Sequence, residues 1–175
     1  LKVLIQQNPG LADQLRLHFI GTAYAPENRA EKTVEPLAVA SGLGGMVIEQ
    51  TARLPYLEAL RCLLDADALI VPGSDDCSYT ASKIYPYILA NKPLLAVFHE
   101  QSSVIDVLNK TKAGIVVGFK TGEAVGEVGQ RILQTGWLSA PLRPSTDWSA
   151  FEPYTAREMT RRLCDVFEKA AQSKC

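Results

Sequence analysis

The chain has 175 residues and a mass of 19.1 kDa, the size of one domain with its own buried core and too short for two full ones. Its 47% hydrophobic and 21% charged residues, with a mean hydropathy of +0.02, exclude disordered, collagen-like and coiled-coil architectures. The 18 Lys and Arg against 19 Asp and Glu leave a net charge of -1, which supplies no field for holding a polyanion and argues against nucleic acid as a partner.

The sequence opens on an apolar stretch, Leu1-Lys2-Val3-Leu4-Ile5, with no methionine, and runs into Asn8-Pro9-Gly10. That pattern reads as the tail of a helix, and the chain as a fragment of a longer protein. The stretch is too short and wrongly flanked for a secretory signal, and no segment approaches the length of a membrane span. Short apolar runs then recur at residues 15–20, 46–48, 68–71, 94–98 and 115–117, each of strand length. The middle runs are apolar at successive positions, which predicts strands of a parallel sheet covered on both faces.

Between them the spacing predicts helices over 31–41, closed by Gly42, and over 56–64, with Leu57, Leu60 and Leu64 on one stripe. Further helices are expected over 84–90, 103–109 and 123–134. Strand and helix alternating every twenty to thirty residues is the signature of βα units, and right-handed crossovers give an α/β fold with a Rossmann-like, doubly wound parallel sheet. Residues 138–148, with Pro141 and Pro144, read as an excursion over the surface, and 155–169 as a closing helix with Met159, Leu163, Val166 and Phe167 on one stripe.

The four cysteines, Cys62, Cys77, Cys164 and Cys175, are too far apart in sequence for a Cys-x-x-Cys pair, and His18 and His99 are the two histidines. No zinc site is legible, and a core of this size needs no disulfides, so a reducing cytoplasmic location is expected.

In an open α/β sheet, ligands bind beyond the carboxyl ends of the strands. Those ends lead into Gly21-Thr22, Glu49-Gln50-Thr51, residues 72–83 and His99-Glu100-Gln101-Ser102. The third outlet is the richest. Its small polar residues deliver Ser82 and Lys83 to the start of a helix, where backbone N–H groups and the dipole favour an anion such as phosphate; the same residues also read as an ordinary cap and a solvated lysine. Asp75 and Asp76 read either as ligands for a metal or sugar hydroxyls or as an Asx turn. His99 reads as a substrate-orienting group or a surface histidine, and His18 as packing.

Several chemistries are disfavoured by what is missing. Gly42-Leu43-Gly44-Gly45 precedes a strand, whereas the dinucleotide fingerprint must follow one. There is no Gly-x-x-x-x-Gly-Lys-Ser/Thr loop and no Gly-x-Ser-x-Gly elbow.

The order Ala66-Asp67-Ala68-Leu69-Ile70-Val71-Pro72-Gly73-Ser74, then Ser82-Lys83-Ile84-Tyr85-Pro86-Tyr87-Ile88-Leu89-Ala90-Asn91-Lys92-Pro93, resembles the donor-binding C-terminal domain of GT-B fold glycosyltransferases of the retaining type. The likeness extends over about residues 1–134, with the closing helix fitting the family's last one. It implies transfer of a sugar from a nucleoside diphosphate donor, a UDP-sugar by class, without a required metal. Lys83 would be catalytic, neutralising charge on the departing phosphate together with the amides near Ser82. Ser78, Tyr79 and Thr80 would line the donor sugar or diphosphate; Glu49, Gln50 and Ser74 would face the nucleobase and ribose. Gly21 and Thr22 belong to the same rim, and Asp75 or Asp76 would contact the sugar.

The family's paired glutamates fall here on Ser78 and Pro86. The resemblance further implies a polysaccharide or glycoconjugate acceptor held by a separate N-terminal domain, and peripheral membrane association of the whole protein. The alternative from another class is a noncatalytic binding or scaffold domain that has lost the donor site; a sugar-nucleotide epimerase is a third reading.

Overall fold

A computed structural model describes residues 1–7, 9–23, 29–138, 140 and 142–172 of the chain. Contacts divide it into two units, Leu1–Cys62 and Leu63–Cys175.

The first unit runs α1 (Lys2–Gln7), α2 (Leu11–Gln14), β1 (Leu17–Ile20), α3 (Val34–Ala40), a 3-10 turn at Gly44–Met46, and β2 (Val47–Gln50). The strands β1 and β2 pair in parallel, from Leu17 opposite Val47 to Ile20 opposite Gln50. The first strand starts two residues later than its apolar run suggests, because Leu15 and Arg16 follow α2 and the Arg16 guanidinium folds back onto the carbonyls of Ala12 and Leu15. Side chains alternate across a strand. Val47 and Glu49 are therefore buried while Ile48 and Gln50 are exposed, and His18, expected to pack inside, lies exposed on the outer face. Gly42 ends α3 with φ of +75°, the left-handed conformation that glycine adopts without a Cβ penalty. The helix α4 (Tyr56–Asp65) carries the chain into the second unit.

The second unit continues with β3 (Leu69–Pro72), α5 (Ile84–Leu89), β4 (Leu94–His99), α6 (Ser103–Thr111), β5 (Ile115–Phe119), α7 (Val125–Gln134), α8 (Trp148–Phe151), a 3-10 turn at Glu152–Tyr154, and α9 (Ala156–Gln172). All three strands are parallel in the order β3-β4-β5. One core cluster joins Leu94, Ala96 and Phe98 of β4 to Ile84 and Ile88 of α5 and to Val104 and Leu108 of α6. A second joins Leu95, Val117 and Trp137 to Val128 and Ile132 of α7. Helices thus cover both faces of β4, the arrangement of a Rossmann-like α/β domain.

Double-sided cover holds for the central strand β4 and not for β3, where Leu69 and Val71 are buried but Ile70 and Pro72 are exposed. The five expected strands form two parallel sheets, β1-β2 in the first unit and β3-β4-β5 in the second.

The excursion after Trp137 has no regular structure over 142–147, and Pro141 lies outside the described residues. It is tied down where the Asp147 N–H donates to the Thr111 carbonyl at 2.7 Å, and the Asp147 carboxylate then caps α8 at the Ala150 N–H, 3.0 Å away. The closing helix α9 buries none of its residues; Met159, Leu163, Val166 and Phe167 lie exposed along it. Among the described residues no helix is long and apolar enough to cross a membrane, and Cys62, Cys77 and Cys164 are free thiols.

Candidate functional site

The loop leaving β3 holds most of the sequence-predicted site residues. The Gly73 N–H extends the ladder by donating to the Val97 carbonyl at 2.7 Å. Beyond it the chain closes an Asx turn, in which Asp76 Oδ1 accepts from the Ser78 N–H at 2.9 Å and from the Ser78 hydroxyl at 2.6 Å. These bonds, the hydroxyl's first, hold the Asp76 carboxyl below its ordinary pKa. The Ser74 hydroxyl accepts from the Asp76 N–H at 3.3 Å. Of the two readings open for the aspartates, Asp76 takes the turn. Asp75 is exposed and has no hydrogen-bond partner among the described residues.

Tyr79 turns inward, its ring stacked on Phe98 with centroids 6.4 Å apart. Its carbonyl accepts from the buried Ser102 hydroxyl at 3.0 Å. Thr80, Ser82, Tyr85 and Ser103, together with the apolar Ala81, Ile84, Val104 and Val107, then line a recess of about 100 Å³ where α5 and α6 begin. The loops after β3 and β4 therefore meet at this point, as the carboxyl ends of adjacent parallel strands require.

Lys83 precedes α5 and Ser82 precedes Lys83, but neither side chain caps the helix. The first α5 amides turn back on the chain, Ile84 N–H to the Ala81 carbonyl and Tyr85 N–H to the Ser82 carbonyl. Lys83 is exposed, and no hydrogen bond or ion pair engages its amine among the described residues. Pro86 is the third residue of α5, inside the first turn, where its missing N–H costs least.

His99, the last residue of β4, is buried and so is not a surface histidine. Its Nδ1 accepts from the Gln101 N–H at 3.3 Å, and its Nε2 lies 3.2 Å from the Thr121 hydroxyl oxygen. The ring meets Phe119 edge-on at 5.9 Å. The histidine thus ties the loop after β4 to the loop after β5.

The outlet of β5 was not among the sites read from the sequence. Glu100, Lys120, Thr121, Glu123, Glu127 and Arg131 border an open cavity of about 560 Å³ there. Its charges are largely spent on one another: the Arg131 guanidinium donates to the Glu123 carboxylate and, at 2.7 Å, to the Gly118 carbonyl, while Lys120 stands 4.0 Å from Glu100. The Arg131 hydrogen bond is the main reason the Glu123 carboxyl lies below its usual range. The polar run Lys120-Thr121-Gly122-Glu123 after the 115–117 apolar run was the available signal.

The remaining predicted residues sit at the strand ends of the first unit. Gly21 has φ of +73° and its N–H donates to the Gln50 carbonyl at 2.8 Å. Gln50 is exposed, while Glu49 is 4% exposed. One Glu49 oxygen accepts from the Thr22 hydroxyl at 2.7 Å and from the Thr33 N–H at 3.1 Å. The other accepts from the N–H groups of Val34 and Glu35 at 2.9 and 2.8 Å. Desolvation pushes the carboxyl up, but the donors from Glu35, Thr22, Thr33 and Val34 together outweigh it and bring its pKa to about 2. Glu49 thereby fixes where α3 starts, at Val34 and not at residue 31.

Among the described residues, no group of three or more His, Cys, Asp or Glu side chains is placed to hold a metal ion. Comparison with protein-family models, with curated proteins and with solved structures returns no match. The class that the fold defines is therefore an α/β domain with parallel strands and a Rossmann-like second unit.

Proposed function

We propose that the loop after β3 and the start of α6 hold the diphosphate of a nucleotide-sugar donor, a UDP-sugar by class, in the donor-binding domain of a glycosyltransferase acting on a polysaccharide or glycoconjugate. The observation that carries this reading is the recess formed where two helices begin at the carboxyl ends of adjacent parallel strands, in which Thr80, Ser82, Tyr85 and Ser103 supply hydroxyl groups beside the apolar Ala81, Ile84, Val104 and Val107. The hydroxyl groups of this lining suit a phosphate, and Lys83, which follows Ser82 directly, is exposed, with no hydrogen bond or ion pair at its amine among the described residues.

Glycosyl transfer from such a donor breaks the bond between the sugar's anomeric carbon and the diphosphate, and negative charge grows on the leaving oxygen. In this reading Lys83 neutralises that charge, and Ser78, Thr80 and Ser82 orient the donor by hydrogen bonds. No metal is assigned a part.

A second reading, a noncatalytic binding or scaffold domain, is favoured by a separate observation. Both Glu49 oxygens are engaged within the protein, and Ser78, which stands where the family has an acid, is bonded to Asp76.

Calorimetric titration with UDP, GDP and ADP separates the two. The donor reading expects UDP to bind and Lys83→Ala to weaken that binding tenfold or more, the worth of one charge-assisted hydrogen bond. Failure of all three nucleotides to bind supports the scaffold.

A further inference from the structure

Ser102 lies three residues past β4 and is 3% exposed. Its hydroxyl does two things at once. It accepts from the Val104 N–H at 3.3 Å, capping α6, and donates to the Tyr79 carbonyl at 3.0 Å. A serine hydroxyl carries one donor and two acceptor sites, so both bonds are compatible.

The second bond matters because of what else holds the loop. The hydrogen bonds of Ser74, Asp76 and Ser78, and that of the Tyr79 N–H to the Asp76 carbonyl, are internal to it. Among the described residues, the Ser102 bond is the one hydrogen bond by which residues 74–80 reach another element. The stack of Tyr79 on Phe98 is nonpolar and does not set the direction of the carbonyl.

We propose that Ser102 is a positioning residue: through the Tyr79 carbonyl it anchors the 74–80 loop to the start of α6 and so places Thr80 at the recess, whose walls are otherwise joined by the packing of Ala81 and Ile84 with Val104 and Val107. The identity of the ligand served by this anchor rests on the donor reading; the anchor itself does not.

Ser102→Gly removes the donor while keeping most of the helix start, since glycine is tolerated at a cap nearly as well as serine. Ser102→Thr retains both bonds and serves as the rescue. Amide hydrogen exchange is followed on the wild type and both variants, with UDP titrations in parallel. In Ser102→Gly, the Ser78 and Tyr79 amides are expected to exchange roughly tenfold faster, the worth of one buried hydrogen bond. The amides of Leu108 and Thr111 in α6 should keep their protection, and Ser102→Thr should match the wild type.

Unchanged exchange at Ser78 and Tyr79 overturns the proposal. So does faster exchange spread equally over the loop, α6 and β4, which reports lost stability and no specific anchor. If the wild type binds UDP, Ser102→Gly should weaken it about tenfold with Ser102→Thr unaffected, and an unaltered affinity overturns the positioning role. If the wild type binds no UDP, the donor reading falls while the exchange pattern alone decides the anchor.

Discussion

Replacing Gly73 by alanine tests the closest backbone approach in the candidate site. A Cβ built at Gly73 stands 2.6 Å from Cδ1, 2.9 Å from Cγ and 3.0 Å from Cα of Phe98. Carbon atoms in contact rest about 3.5–4.0 Å apart, so the ring would have to retreat by roughly 1 Å and the Phe98 backbone by about half of that. Phe98 is 1% exposed, belongs to the main core cluster and carries the Tyr79 ring on one side, which leaves it little room. Overpacking of this kind costs about 1–3 kcal/mol. Loss of glycine's freedom in the unfolded chain returns only about 0.4–1 kcal/mol, so destabilisation wins.

For a domain of this size, each kcal/mol lowers the melting temperature by about 2–4 °C, and thermal unfolding followed by circular dichroism resolves such a shift. In a Phe98→Ala background Cγ and Cδ1 are gone, and adding Gly73→Ala should cost markedly less than it does alone. An unchanged midpoint for Gly73→Ala, or equal losses in the two backgrounds, would refute the claim that the Phe98 side chain requires a glycine at this strand end.

The opposite sign is expected at Gly129, in the middle of α7 with open space where a Cβ would go. Gly129→Ala should raise stability by about 0.5–1 kcal/mol in denaturant titrations, and a decrease would contradict the helix assignment there. Glu49 provides a pH test. Its folded-state pKa of about 2 lies below the ordinary 4.5, so the stability it confers is complete above the unfolded value and fades as pH falls from about 4.5 to about 2. Acid titration of Glu49→Gln, monitored by circular dichroism, should show a shallower loss than the wild type across that window, and matching curves would remove the carboxylate from the account of α3.

Periodicity was enough to locate the strands and most of the helices. The apolar runs at 94–98 and 115–117 lie within β4 and β5, because short stretches of Leu, Ile, Val and Phe with no helical spacing satisfy a pleated surface. It failed where a distant side chain decided the boundary. The sequence offers no sign that the carboxylate at position 49 will reach the amides of residues 33–35, so a helix beginning near 31 was the natural expectation. The short helices at Leu11–Gln14 and Trp148–Phe151 escaped because four residues are too few to show a period.

The candidate site was legible in the same uneven way. Its place, beyond the carboxyl end of the third apolar run, follows from the alternation of strands and helices. The Asx turn at Asp76 was one of two readings open for that side chain. Ser102 was visible only as a serine before a helix, and its bond to Tyr79 spans 23 positions in sequence.

Local physics written in the chain determined that this protein alternates parallel strands with helices and that a small, polar loop separates β3 from α5. Tertiary structure decided which polar groups that loop and its neighbours keep for themselves. Glu49 and Asp76 read alike as acidic residues beyond apolar runs, but each is engaged by donors within the protein, while Lys83 stays exposed. The reason is that hydrogen bonds are directional and short, so whether a carboxylate faces a ligand or an amide depends on backbone placed tens of residues away, which no local pattern encodes.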